Sequence, residues 1–282
     1  MTGIYTRLKY LLLCFIPVLA VISCTTNKDK GLIPTYIHVD SFAFATAPSS
    51  LQHIATSHQI NSVWAYYNNS PIGVFDLPAN IPVLANGTGK LTLRPGISVS
   101  GLNNFLATYP FYSSDTSTFN SQPGKTIQFI PKTTYYSSTR CSVIANFDSN
   151  VAAPFKVDAG TGIDCIGGIG SVSLSGKDTF SEIGSLAQFT IPLGKDAYIE
   201  FDYKCTIPFS VGLKASLGTL FTKFYLAGIY PSDHWQKFYL SVKDFDAQYQ
   251  ATGYNFYLKT ELPGAQSSGT VLIDNIQLVY FD

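Results

Sequence analysis

Charge is what this chain has least of. Asp, Glu, Lys and Arg together make up 13% of its 282 residues, against about 25% in an average soluble protein. The 18 basic and 18 acidic residues cancel to a net charge of zero. That excludes nucleic acid as an expected partner, because phosphate binding draws on clustered cations. Four His, one Met and five Cys leave little for a catalytic or soft-metal centre. Helical periodicity is missing too: beyond residue 31 no stretch of ten or more residues repeats its apolar positions at helical spacing, whereas period-two runs recur throughout. There is no GxSxG elbow, no HExxH and no GxGxxG phosphate loop. No acid, base and nucleophile set assembles from these residues, so the chain is read as non-enzymatic. What is abundant is 18 Tyr, 20 Phe, 22 Gly and 15 Pro, the composition of an all-β protein with many tight turns. Disorder is excluded for most of the length, and 282 residues accommodate two modest domains.

The N-terminus carries an address. Arg7 and Lys9 precede the run YLLLCFIPVLAVI at Tyr10–Ile22, the layout of a secretory h-region. It is shorter than the roughly 20 apolar residues of a membrane-spanning helix. The run ends in Val21-Ile22-Ser23-Cys24, which resembles a bacterial lipobox. The resemblance implies that residues 1–23 are a signal peptide, that Cys24 is acylated (a palmitate-type modification), and that 24–32 is a lipidated tether. The polar stretch TTNKDKG at Thr25–Gly31 suits such a tether. No Asp follows Cys24, so the expected address is the outer membrane, with the periplasmic or cell-surface face left open. Cleavage removes Arg7 and Lys9, leaving 16 basic against 18 acidic residues, too small an imbalance for electrostatic membrane binding. The lipid is then the membrane anchor. Cys14 leaves with the signal, and Cys141, Cys165 and Cys205 remain. An odd set without CxxC spacing allows one internal disulfide at most and argues against zinc.

The mature chain divides into blocks 33–140 and 141–282. In the first, strands are expected at Tyr36–Val39, Ser62–Tyr67, Ile72–Leu77, Lys90–Arg94 and Thr126–Ile130. Asn68-Asn69-Ser70-Pro71 makes the second and third of these a hairpin, and Lys90–Arg94 is expected to stop at Pro95-Gly96. The stretch from Val63 to Ile97 is similar to Ig-like or transthyretin-like domains near the N-termini of Bacteroidetes lipoproteins, which implies an Ig-like β-sandwich. In the second block, strands are expected at Ala197–Cys205, Thr206–Leu213, Leu220–Gly228, Trp235–Val242, Tyr254–Thr260 and Thr270–Tyr280. Asn146–Asn150 (NFDSN), the Trp235 strand and the closing VLIDNIQLVYFD at Val271–Asp282 resemble galactose-binding-like and carbohydrate-binding jelly rolls. The resemblance implies a jelly-roll sandwich. The expected fold class is therefore all-β, two β-sandwich domains after a lipoprotein signal peptide.

Several residues are candidates for chemistry. Strict alternation in the last strand puts Asp274 on one face with Leu272, Ile276 and Leu278, inside an apolar layer, where a bare carboxylate is prohibitive. Related jelly rolls often hold a structural calcium near this position, which makes Asp274 and Asp148 candidate metal ligands; a hydrogen-bonded or bulged Asp274 with no cofactor is the alternative. Glu200, Asp202 and Lys204 share a face that reads as solvent-exposed. His53 and His58 read as surface residues, and the glycine-rich Gly160–Gly170 as a flexible loop. Tyr109, Phe111 and Tyr112, in the aromatic stretch Thr108–Phe119, are candidate partner contacts. Tyr249 and Tyr254 are candidates for stacking on a sugar. The expected function is a non-enzymatic, lipid-anchored outer-membrane protein acting as a binding or adaptor module of an envelope complex. The alternative is a glycan-binding surface lipoprotein that uses its jelly roll, so the expected partner is an envelope protein or a polysaccharide.

Overall fold

A computed structural model describes residues 32–51, 54–101, 105–148, 154–243, 245–249 and 251–281. The signal peptide, Cys24 and His53 lie outside the described residues. Pro34–Asp282 is one compact unit, and nearly all of its regular structure is strand.

The first part is a small β-sandwich. One sheet holds β1 (Thr35–Val39) between β5 (Ala79–Val83) and β9 (Thr126–Gln128), and the short β2 (Ala43–Phe44) pairs in parallel with β10 (Lys132–Thr133). The facing sheet is built on β6 (Thr88–Ser98), which pairs with β3 (Ser62–Tyr67) on one side and with β7 (Leu106–Thr108) and β8 (Asp115–Asn120) on the other. β3 continues into β4 (Ser70–Asp76) through Asn68 and Asn69, both at positive φ, so the expected hairpin turns on two residues. Ile37, Val39, Ile81, Val83, Val63, Ala65, Leu91 and Leu93 interdigitate between the sheets. β6 does not stop at Pro95: it runs on to Ser98. Along its second edge, pairing with β8 ends at Leu93 and pairing with β7 begins at Gly96. Pro95 therefore sits in the gap between the two edge partners, where a missing N–H costs nothing on that side.

The second part is a jelly-roll β-sandwich of two larger antiparallel sheets. In the six-stranded sheet the long β21 (Ser268–Phe281) lies beside β16 (Ala197–Cys205), and β16 beside β19 (Ser232–Ser241). The other edge of β21 is shared end to end by β14 (Ile169–Ser175) and β11 (Thr139–Ala145). The five-stranded sheet runs β12 (Phe155–Gly160), β15 (Phe180–Ser185), β20 (Gly253–Glu261), β17 (Phe209–Leu217), β18 (Leu220–Ile229). Phe201, Val211, Leu213, Phe256, Leu258, Ile273 and Ile276 fill the layer between them. The glycine-rich segment is no loose loop. β13 (Asp164–Ile166) and β14 form a tight hairpin whose turn, Gly167-Gly168, is at positive φ in both residues.

The two parts meet on the outer face of the six-stranded sheet. Period-two reading places Glu200 and Asp202 on that face, as expected, but the face is not solvated, because the first sandwich covers it. Glu200 is fully buried and Asp202 nearly so. Ile97, Val99, Tyr109, Phe111, Tyr112 and Tyr135 from the first sandwich pack with Tyr198, Tyr239 and Val279 of the sheet in one apolar cluster. The expected partner-contact loop is thus consumed inside the molecule: Tyr109 and Tyr112 make edge-on ring contacts 4.6 Å apart, and Tyr109 stands 4.9 Å from Tyr239.

Candidate functional site

The outer face of the five-stranded sheet is open, and its rows follow from the strand register. Across β18, β17, β20 and β15 one row reads Tyr225, Gly212, Tyr257, Gly184. The next reads Gly228, Ser210, Lys259, Glu182. On the other side of the tyrosine row Lys223 pairs with Lys214 and Lys214 with Asn255. Strands lie about 4.8 Å apart, so Tyr225 and Tyr257 stand two strands from each other. Their rings are nonetheless only 5.4 Å apart and their hydroxyls 2.8 Å. Both rings lean across Gly212, which has no side chain to hold them apart, and a Cβ there would strike the Phe224 carbonyl.

Around this pair sits most of the charge on the face. Lys214 donates to both carboxylate oxygens of Asp158 at 3.1 Å, and Lys223 bridges Asp158 at 2.9 Å and Glu182. Burial would raise the Asp158 and Glu182 carboxyls, but Lys223, joined at Asp158 by Lys214, outweighs it and holds both below their ordinary values. The Tyr257 phenol is held well above its ordinary value, by burial first and then by hydrogen bonds to Glu182 and Tyr225. The ammonium groups lie over rings as well: Lys223 over Tyr257 at 4.8 Å, Lys259 over Tyr225 at 5.5 Å, and Lys214 over Phe221 at 5.2 Å. The ions are fixed by one another before any ligand arrives.

Beside this network a groove of about 690 Å³ runs between Tyr225 and Tyr230, with Ser210, Gly228, Lys259 and Glu261 among its lining. Gly228 has open space where a Cβ would stand, so the groove floor exists because that position lacks a side chain. Tyr225, Phe221 and Tyr230 are 51%, 61% and 84% exposed. The arrangement offers flat apolar faces next to fixed donors and acceptors, which is the chemistry of binding.

Comparison with known proteins gives a likeness of form. No protein-family model matches the chain, and no curated protein matches it. Solved structures similar to it include carbohydrate-binding modules of family 29. A point mutant of such a module aligns at TM-score 0.37 and 17% identity, over 50% of this chain and 92% of its own. A further structure of a family 29 module gives 0.36 and 17%, over 50% and 88%. Another point mutant, complexed with mannohexaose, gives 0.37 and 16%, over 50% and 92%.

The residues singled out from sequence fall elsewhere. Tyr254 is fully buried; its hydroxyl donates to Asp246 at 2.6 Å, and burial pushes its phenol up to about 12. Tyr249 is half-buried, packed on Phe224 at 4.1 Å and Phe245 at 4.7 Å. Tyr254 presents no ring face to solvent and Tyr249 is partly covered by Phe224 and Phe245, so the two do not combine into the expected stacking surface. Asp274 does not point into the core. A register shift in the β16–β21 pairing, with Asn275 at φ 54°, makes a bulge that keeps Ile273 and Ile276 inside and turns Asp274 and Asn275 out. Its Oδ1 accepts the Asn275 amide at 2.7 Å. Asp148 is exposed and accepts from Asn146 at 3.2 Å. Among the described residues no group of three or more His, Cys, Asp or Glu side chains gathers at metal-binding range, and two carboxylates fall well short of the six to eight oxygens calcium takes. No disulfide joins Cys141, Cys165 and Cys205: their thiols donate separately to Gln277 Oε1, Phe147 O and Tyr230 O.

The sheet-face residues Lys214, Lys223, Tyr225, Tyr257 and Lys259 were missed in the sequence although each stands at an alternating strand position. The signal was there in β17, β18 and β20 taken singly; only the pairing of the three strands assembles it.

Proposed function

We propose that the chain is a non-catalytic glycan-binding protein whose site is the outer face of the five-stranded sheet. The observation that carries this reading is the Tyr225–Tyr230 groove, lined by Lys259 and Glu261, beside the Lys214, Lys223, Asp158 and Glu182 network. In a chain so poor in charge, ions already held by each other next to exposed rings suit a neutral polyhydroxylated ligand. The rings take the C–H face of a sugar, and Lys259, Glu261 and Ser210 take its hydroxyls. The adaptor reading draws on the lipobox, the lack of a catalytic set and aromatic-rich surfaces with little charge; of these surfaces, the rings Tyr109, Phe111, Tyr112 and Phe119 of the Thr108–Phe119 stretch are buried within the molecule. We propose further that Cys24 carries lipid and tethers the binding face to the outer membrane. That part rests on the lipobox alone, and Cys24→Ala should release the protein from membranes and alter its electrophoretic mobility.

The test is calorimetry of the purified chain against a panel of neutral polysaccharides. At least one should bind, and Tyr225→Ala should weaken it about tenfold, the equivalent of roughly 1.4 kcal/mol. Gly228→Val, which fills the groove floor without meeting a neighbour, should abolish binding and leave thermal unfolding in place. If no polysaccharide binds, or if both variants bind as the parent does, the sheet-face reading is wrong.

A further inference from the structure

A second cleft, of about 570 Å³, opens where the first sandwich meets the edge of the six-stranded sheet. It is on the opposite sheet from the groove described above and shares no lining residue with it. Its floor is Asp202 and Asp274, cross-strand partners on β16 and β21. One side is Trp235, 43% exposed, and the other is Ser57 and His58 of the first sandwich, the His58 ring stacked on Phe44 at 4.7 Å.

The charges in this cleft do not balance. Lys237 is its one ammonium among the described lining residues, and that group is committed to Glu200, 3.0 Å away behind the floor, while Asp202 is 4.0 Å off. Asp202 is served instead by neutral donors, Ser57 Oγ at 2.8 Å and Asn275 Nδ2 at 2.9 Å. Asp274 has main-chain amide donors, and among the described residues no lysine or arginine reaches it. Burial raises its carboxyl, and the nearby Asp148 and Asp202 raise it further. The bulge at Asn275 is what aims this carboxylate at the opening. Asp202 and Asp274 thus line the cleft with Lys237 as its one lysine or arginine among the described residues, already paired to Glu200, and with the indole of Trp235 at its edge.

We propose that this cleft binds a protonated amine carried on a hydroxylated, ring-sized frame, an amino sugar, with the ammonium between Asp274 and Asp202 and the ring against Trp235. The ammonium supplies the counter-charge the fold leaves out. The indole favours both a cation and a sugar face, and the side-chain amides of Gln236 and Asn275 stand at the rim for hydroxyls.

The probe is glucosamine, titrated into the full chain by calorimetry or protein-observed NMR at neutral pH, beside glucose, N-acetylglucosamine and lysine amide. Glucosamine should bind at least about tenfold more tightly than the two neutral sugars. Asp274→Asn and Trp235→Ala should each remove most of that preference. Tyr225→Ala should leave it unchanged, which separates this site from the sheet-face groove whatever the fate of the glycan reading there. Equal binding of glucose and glucosamine, or a preference that survives Asp274→Asn, overturns the proposal. Tighter binding of lysine amide than of glucosamine overturns the amino-sugar assignment.

Discussion

Replacing Glu200 by Ala tests what joins the two sandwiches. Its side chain is fully buried and its carboxylate accepts from four groups: Tyr109, Tyr135 at 2.8 Å, Gln277 at 3.0 Å and Lys237 at 3.0 Å. Two of these donors come from the first sandwich and two from the second. The Lys237 side chain is 1% exposed, so removing the carboxylate leaves a buried ammonium with Ser57 Oγ at 3.2 Å and only a distant carboxylate, Asp202 at 4.0 Å. Breaking a buried pair from one side costs about 3–5 kcal/mol. For a unit of this size that lowers Tm by about 6–20 °C, at about 2–4 °C per kcal/mol. Calorimetry of Glu200→Ala, Lys237→Met and the double variant Glu200→Leu/Lys237→Met measures it. The double variant should cost less than the two single losses added, because neither ion is then left alone. Because the network spans the junction, the single variant should also split one unfolding transition into two. A Glu200→Ala protein that melts within about 2 °C of the parent refutes the claim that this carboxylate holds the parts together.

Burial, and then Glu200 nearby, push the Cys141 thiol up to about 12; native protein should resist iodoacetamide at about pH 8, where an ordinary thiol reacts, and react fully once unfolded. Labelling of Cys141 at the free-thiol rate in native protein contradicts its placement. Asp158 and Glu182 are held below their ordinary values, so the folded form binds their protons less tightly than the unfolded one. Their contribution is present above the unfolded carboxylate values of about 4 and is lost as pH falls through the folded ones. Melting profiles of Lys223→Met should therefore differ from the parent near neutrality and converge with it in acid. Asp274 has the opposite sign: its raised carboxyl favours the protonated folded form, so its ionised state weighs against the fold at neutral pH. Asp274→Asn should raise Tm at neutral pH, and a fall there shows that the ionised carboxylate is stabilising.

Period two was enough to place the strands, and Asn68-Asn69 enough to place a hairpin. It also put Glu200 and Asp202 on one face and Phe201 and Tyr203 on the other. What it omits is the identity of whatever lies over a face. A strand that alternates charged and apolar residues looks the same whether its polar side meets water or a second sandwich, so Glu200 read as solvated when it is buried, and Tyr109 as a candidate partner contact when it caps that same sheet. Asp274 shows a second limit. Alternation was extended through Asn275, where one residue at positive φ shifts the register and reverses the faces beyond it. Tyr225 and Tyr257 show a third, since they lie on strands about thirty residues apart in sequence and become neighbours only when β17 pairs with both β18 and β20.

The scarcity of charge then becomes informative by position. Buried ions persist only when paired or otherwise satisfied, and two of the three charged clusters obey this closely. Glu200 and Lys237 are matched to each other at the junction, and Asp158 and Glu182 are matched to Lys214 and Lys223 on the sheet face. The first is covered on all sides and acts as a joint. The second is the same kind of pairing left open beside exposed rings, rigid and electrically quiet, as a site for a neutral ligand should be. Asp274 breaks the pattern: it is carried outward by a bulge, crowded by two other carboxylates, and has no cation of its own among the described residues. A fold that pairs Glu200, Asp158 and Glu182 with lysines and leaves Asp274 uncompensated in a cleft gives up stability there, and a cationic group arriving from outside is what would restore it.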